Sequence, residues 1–166
     1  MRYLMIFSLC LLAAACDGQP SGAPTGPSTA ATAIQTPHSK GAAPVEVTFT
    51  KWVPAFPIME GFTGGDVVGT YAGEVLSRTA LDNGVIVQLE ARYQVIDPSG
   101  LHSFTALIQG TQNNNTGHAV LNGVITEGWL VGAQVHVTFQ VITPCEFGTR
   151  NVCFQGTIRV MPGSAD

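Results

Sequence analysis

Residues 84–97, GVIVQLEARYQVID, constrain most strongly what this chain can fold into. Val85, Val87, Leu89, Ala91, Tyr93 and Val95 make every odd position apolar, with Gln88, Glu90, Arg92 and Gln94 between them. A repeat of two is the pattern of a β-strand with one buried face. Asp82-Asn83-Gly84 precedes the run and Asp97-Pro98-Ser99-Gly100 follows it. Both are turn sequences, because Asn and Gly tolerate positive φ and Pro presets a turn torsion. A half-buried strand between two tight turns is the middle of an antiparallel meander.

The same reading extends in both directions. Residues 45–53 (VEVTFTKWV) alternate, and residues 54–65 (PAFPIMEGFTGG) read as a loop. Further strands are expected over 66–77, 101–111, 118–126, 133–143 and 152–160, with QNNNTG and EGWLVG as turns. Asn114-Asn115-Thr116 matches a glycosylation sequon but is read as part of the first of these turns. No helical period intervenes. The expected class is all-β, a small antiparallel β-barrel of about seven or eight strands, with a β-sandwich as the alternative. Glycines inside strands (Gly69, Gly73, Gly110, Gly123, Gly156) favour the barrel, where coiling and bulges consume glycine.

The N-terminus has a different character. Met1-Arg2 carries one positive charge, an apolar run follows from Tyr3 to Leu12, and Ala13-Ala14-Ala15 precede Cys16. This is the order of an export signal, and the run is shorter than the roughly 20 apolar residues a membrane span needs. The alanines and Cys16 resemble the lipobox of bacterial lipoproteins, although Ala13 stands where leucine is most common in that family. The resemblance implies acylation of Cys16 after removal of residues 1–15; an ordinary signal peptidase cutting the same bond would leave a free thiol. Residues 16–44 are rich in Gly, Pro, Ser, Thr and Ala and cannot bury enough surface to offset their ordering entropy, so a disordered, lipidated tether is expected. Residues 45–161 form the barrel domain and 162–166 a tail.

Of the four cysteines, Cys10 leaves with the signal and Cys16 takes the lipid, which leaves Cys145 and Cys153. An even remainder in an oxidising compartment implies a disulfide. Net charge is -4 and charged residues are 11% of the chain, with no basic cluster of the kind that neutralises phosphates, so nucleic acid is excluded as a partner. The expected location is the bacterial cell envelope, with the lipid anchor holding the protein to a membrane.

The order of a Gly-rich strand, a DNG turn, SFTALIQGT, AVLNGVITEG and a closing FQGTIRV resembles the allene oxide cyclase and dirigent superfamily, through Asn122, Gly123, Val124, Gly128, Gly156 and Ile158. The resemblance spans residues 67–160. It implies an eight-stranded barrel with an apolar cavity open at one end, dimeric or trimeric, and for the plant members guidance of apolar reactive intermediates toward cyclisation or coupling. Their catalytic residues map onto no position here.

The candidates for chemistry are few. Glu90 and Arg92 share the polar face of one strand, where they can hold an anion or, more simply, face solvent. Tyr71, Glu74 and Tyr93 can stand at a cavity mouth, and a buried Glu74 would serve as a base. Trp52, Phe56, Met59, Phe62 and Trp129 can line a mouth, form a partner surface or plug a barrel end. His102, His118 and His136 begin or lie on strands with nothing to fix their relative heights, so no metal or other cofactor is expected. There is no nucleophile elbow, phosphate-cradling loop or zinc signature. The expected function is non-catalytic: a lipid-anchored barrel that binds a small apolar ligand or an envelope partner. The alternative is a cyclase or isomerase acting on an apolar substrate.

Overall fold

The computed structural model describes residues 43–147 and 151–163. The expected signal segment, Cys16 and all but the last two residues of the expected tether lie outside the described residues. Eight strands follow one another: β1 (Val45–Ala55), β2 (Ile58–Gly65), β3 (Gly69–Leu81), β4 (Ile86–Ile96), β5 (Phe104–Asn113), β6 (His118–Gly128), β7 (Gln134–Ile142) and β8 (Cys153–Met161). Each pairs antiparallel with the next, and β8 returns to β1 with Val47 opposite Ile158. The sheet is thus a closed barrel with strands in sequence order. Closure satisfies the backbone groups that an open edge would expose.

The segment expected as a loop, 54–65, contains β2. Its alternation is real, with Met59 and Thr63 buried and Ile58, Glu60 and Phe62 exposed. Gly61 breaks the apolar pattern for a steric reason: a Cβ there would lie 2.2 Å from the Thr50 carbonyl oxygen, so β1 and β2 can approach only across a bare backbone. The turn at Asp82-Asn83-Gly84 forms as expected, with φ of 48°, 51° and 87°.

The period-two pattern sorts side chains to the two faces of the wall. Val47, Phe49, Met59, Tyr71, Tyr93, Val95, Phe104, Ile108, Leu121, Val137, Phe139 and Ile158 are all buried in the interior. Gln88, Arg92, Thr138 and Gln140 stand exposed outside. The β2–β3, β4–β5 and β6–β7 connections gather at one end, where Val47, Val95, Phe104, Ile125, Val135 and Val160 fill the lumen. Each such side chain contributes about 1.5 to 3 kcal/mol on leaving water. The opposite end carries the β1–β2, β3–β4, β5–β6 and β7–β8 connections, and it is not filled.

The two ends are fastened differently. At the packed end, Asp97 accepts hydrogen bonds from the Ser99 hydroxyl and amide and from the His102 amide. Those bonds, the Ser99 hydroxyl first, hold its pKa down to about 2. Their support of the β4–β5 turn is therefore complete above about pH 4, the ordinary carboxyl value, and is lost as pH falls through 2. His102 also lies 3.3 Å from Asp97 and packs edge-on against Trp129, with ring centroids 4.6 Å apart. At the open end, Cys145 and Cys153 are joined in a disulfide with Cα atoms 5.7 Å apart. Closing so short a loop restricts the unfolded chain by about 2 to 3 kcal/mol on the loop-entropy account. The bridged connection also seats Phe147 on Trp52, ring centroids 4.9 Å apart, on the outer wall.

Candidate functional site

The unfilled half of the barrel is a cavity of about 660 Å³. Its wall is largely apolar, with Val53, Met59, Val75, Leu89, Leu121 and Phe139 among the lining residues, and Phe56 stands at the rim. Arg78 and Gln112 supply polar groups near the mouth, and Lys51 and Tyr93 supply them at depth. Arg78 turns inward because a bulge between Val75 and Ser77 shifts the end of β3 by one residue and places it opposite Leu89. A shallower hollow of about 450 Å³ is lined by Thr48, Thr50, Phe62, Gln155 and Thr157 across β1, β2 and β8. Threonines and glutamine give it no group that would fix a charged ligand.

Lys51 is the residue that sets the deep cavity apart. It follows Val47 and Phe49 at the same spacing on β1, so the pleat carries it into the lumen, where it is 2% exposed. Its Nζ donates a hydrogen bond to the Tyr93 hydroxyl. Five aromatic rings surround the nitrogen, with centroids at 4.0 Å (Tyr93), 4.7 Å (Phe139), 5.4 Å (Phe49), 5.5 Å (Tyr71) and 5.8 Å (Phe154). Among the described residues no carboxylate is buried with it, and it takes part in no ion pair. Burial therefore pushes its pKa well below the ordinary lysine value. Ring faces attract an ammonium by about 2 kcal/mol when desolvated. The penalty for burying an ion is several kcal/mol, and it is this desolvation that pulls the lysine pKa down.

Two phenols complete the cluster. Tyr71 and Tyr93 meet edge to face at 5.0 Å, and the Tyr71 hydroxyl lies 4.0 Å from the Met59 sulfur. Burial raises both phenol pKa values, and for Tyr71 the neighbouring Tyr93 raises it further. Both hydroxyls therefore keep their protons at any ordinary pH. The site combines an enclosed amine whose pKa burial lowers, a hydroxyl bonded to it and an apolar chamber above.

The residues singled out from sequence are divided between the faces. Tyr71 is inside the barrel. Glu74 and Arg92 face each other across β3 and β4 on the outer wall, 3.4 Å apart, with side chains 41% and 50% exposed. Glu90 is on that outer face too, opposite Ser77 and Gln109. A half-exposed pair of this kind contributes under about 1 kcal/mol and does not reach the cavity. Of the large apolar residues, Met59 and Phe56 reach the cavity, Trp52 and Phe62 pack together outside at 5.3 Å, and Trp129 covers the packed end. His136 bonds Asn122 at 2.8 Å, His118 is exposed, and no group of three metal-ligating side chains occurs among the described residues.

Sequence reasoning missed Lys51, yet the signal was present. In VEVTFTKWV the inward set Val45, Val47, Phe49, Val53 has Lys51 as its one charged member. The chain holds only two lysines, Lys40 and Lys51, and one of them is enclosed. Compared with known protein families, curated proteins and solved structures, the chain matches none.

Proposed function

We propose that this is an envelope protein, held to a membrane by a lipid on Cys16, whose barrel takes up a small apolar ligand without transforming it. The observation that carries the reading is the cavity of about 660 Å³, apolar along its walls and closed at its far end by packed side chains. That volume is within the range of sites that enclose drug-sized molecules. The outer wall sets Gln, Thr, Glu and Arg between scattered exposed apolar residues such as Phe62, Ile96, Leu107 and Val120, rather than the continuous apolar band that faces lipid in a membrane-spanning barrel. Such a wall suits a domain kept in water and tethered from outside. β1 begins at the packed end, so the mouth faces away from the point where a tether would join. Binding is preferred to cyclisation because Glu74, Glu90 and Arg92 stand outside the cavity.

Two measurements test the two halves of this reading. Leu89→Trp places an indole in the chamber and is expected to weaken binding of the apolar fluorophore N-phenyl-1-naphthylamine at least tenfold, with the far-ultraviolet dichroism unchanged. Equal binding by both proteins would show that the fluorophore sits elsewhere. Cys16→Ser is expected to move the full chain from the membrane pellet to the soluble fraction of its host. Continued pelleting at high salt and alkaline pH would remove the anchor.

A further inference from the structure

The proposed ligand-binding role leaves one feature without a use. A lysine enclosed with no acidic partner opposes folding, and a chamber meant only for hydrocarbon would be better lined by leucine or methionine. Residues that lower stability and are nevertheless present mark functional sites. The chemistry of this amine narrows what the cavity takes.

We propose that Lys51 Nζ forms an imine with the carbonyl carbon of an apolar aldehyde or ketone seated in the barrel, making the cavity a covalent, reversible carbonyl-binding site. The inference rests on the ligand-binding reading and specifies its ligand class. The amine stands at the floor of the chamber, so a ligand entering through the mouth between Phe56 and Gln112 presents its leading atom to Nζ. Desolvation in an apolar pocket is one of the ways in which a lysine amine is made nucleophilic, and burial lowers the pKa of this one.

The atoms balance within the site. The Nζ lone pair attacks the carbonyl carbon, the C–O π pair moves to oxygen, and a tetrahedral aminoalcohol forms. Tyr93, bonded to Nζ, gives its phenol proton to the developing alkoxide and takes one from nitrogen, so the phenol is restored. A second such transfer lets the hydroxyl leave as water, which departs by the mouth as the C=N bond forms. No oxidant or reductant is needed. The two transfers end on a neutral imine, so the product leaves no charge in the lumen, where a cation would meet the same burial penalty as the ammonium. A carboxylate ligand fits less well. It would require a fully charged pair deep in the lumen, and such pairs seldom recover their desolvation.

The test uses the full chain, trans-cinnamaldehyde as probe and sodium cyanoborohydride to trap the imine at pH 7. Peptide mapping by mass spectrometry should find one reduced adduct on Lys51, formed at least tenfold faster than any on Lys40, which serves as the reference amine in the same chain. Lys51→Met should abolish that adduct. Cinnamyl alcohol, which has the same shape without the carbonyl, is titrated in parallel by calorimetry and should bind and slow trapping of the aldehyde. Binding of the alcohol with no adduct on Lys51 overturns the imine and leaves the apolar cavity standing. Binding of cinnamate with no adduct overturns it in favour of carboxylate recognition. Failure of all three probes to bind overturns the ligand-binding reading itself. Labelling of Lys51 no faster than Lys40 shows an ordinary surface-like amine and also overturns the proposal.

Discussion

Gly156→Ala is expected to lower the stability of the barrel by about 3 kcal/mol or more, enough to abolish folding if the wild type has little reserve. Gly156 lies in β8 opposite Phe49 of β1 and Phe139 of β7. An added Cβ would meet the Thr138 carbonyl oxygen at 1.9 Å and the Phe139 Cα and Cβ at 2.7 Å. These are backbone atoms and the root of a buried side chain, so no rotamer change relieves them. The neighbouring strand would have to retreat, which breaks the ladder that closes the barrel and shifts Phe139 against the Lys51 cluster. Gly163→Ala is the control, because nothing lies within 4 Å of a Cβ at that position. It should change stability by no more than about 0.5 kcal/mol. Urea titration of the two variants beside the wild type decides the matter. A loss under about 1 kcal/mol for Gly156→Ala would mean that β7 and β8 have room to separate, and the coiling argument would fail.

Lys51→Met should stabilise the fold by about 1 to 3 kcal/mol at pH 7, the usual benefit of removing a buried polar group that lacks full compensation. Methionine is unbranched, follows the path of the lysine stem and puts sulfur among aromatic rings, a favourable contact. The sign of the pH dependence follows from the lowered pKa of Lys51. Between that folded value and the ordinary value of 10.5, the unfolded chain holds a proton that the folded chain does not. Wild-type stability must then rise with pH across this window. The variant lacks the slope, so its advantage is full below the folded pKa and shrinks as pH climbs toward 10.5. Denaturant titrations from pH 6 to pH 10 on both proteins measure the difference directly. If Lys51→Met is instead destabilised at every pH, the ring cage and the Tyr93 bond outweigh desolvation, and the amine is a structural anchor. The same variant loses the trapped adduct, so gained stability with lost carbonyl chemistry is the expected joint result.

Much of the architecture was open to a reader of the residues. The alternation over 85–95, bounded by DNG and DPSG, is a local signal, because a strand half in water must repeat every two residues whatever it pairs with. The cysteine pair was legible by count, since Cys145 and Cys153 are the even remainder once Cys10 and Cys16 are assigned to the N-terminal segment, and the two are bridged in the fold. β2 was hidden because Gly61 and its glycine neighbours carry no side chain to show polarity. Alternation put Glu90 and Arg92 on the polar face of β4, where they stand, whereas it could not announce the bulge after Val75, which resets the facing of all that follows on β3 and turns Arg78 inward.

Local chemistry in the chain determined the strands, their turns and the polar and apolar sets along each, because backbone torsions and side-chain period are properties of near neighbours. The closure of β8 on β1, the empty half of the lumen and the gathering of Phe49, Tyr71, Tyr93, Phe139 and Phe154 around Lys51 were decided only in the folded molecule. Those residues come from β1, β3, β4, β7 and β8, and it is the register between strands distant in sequence that sets them at one height.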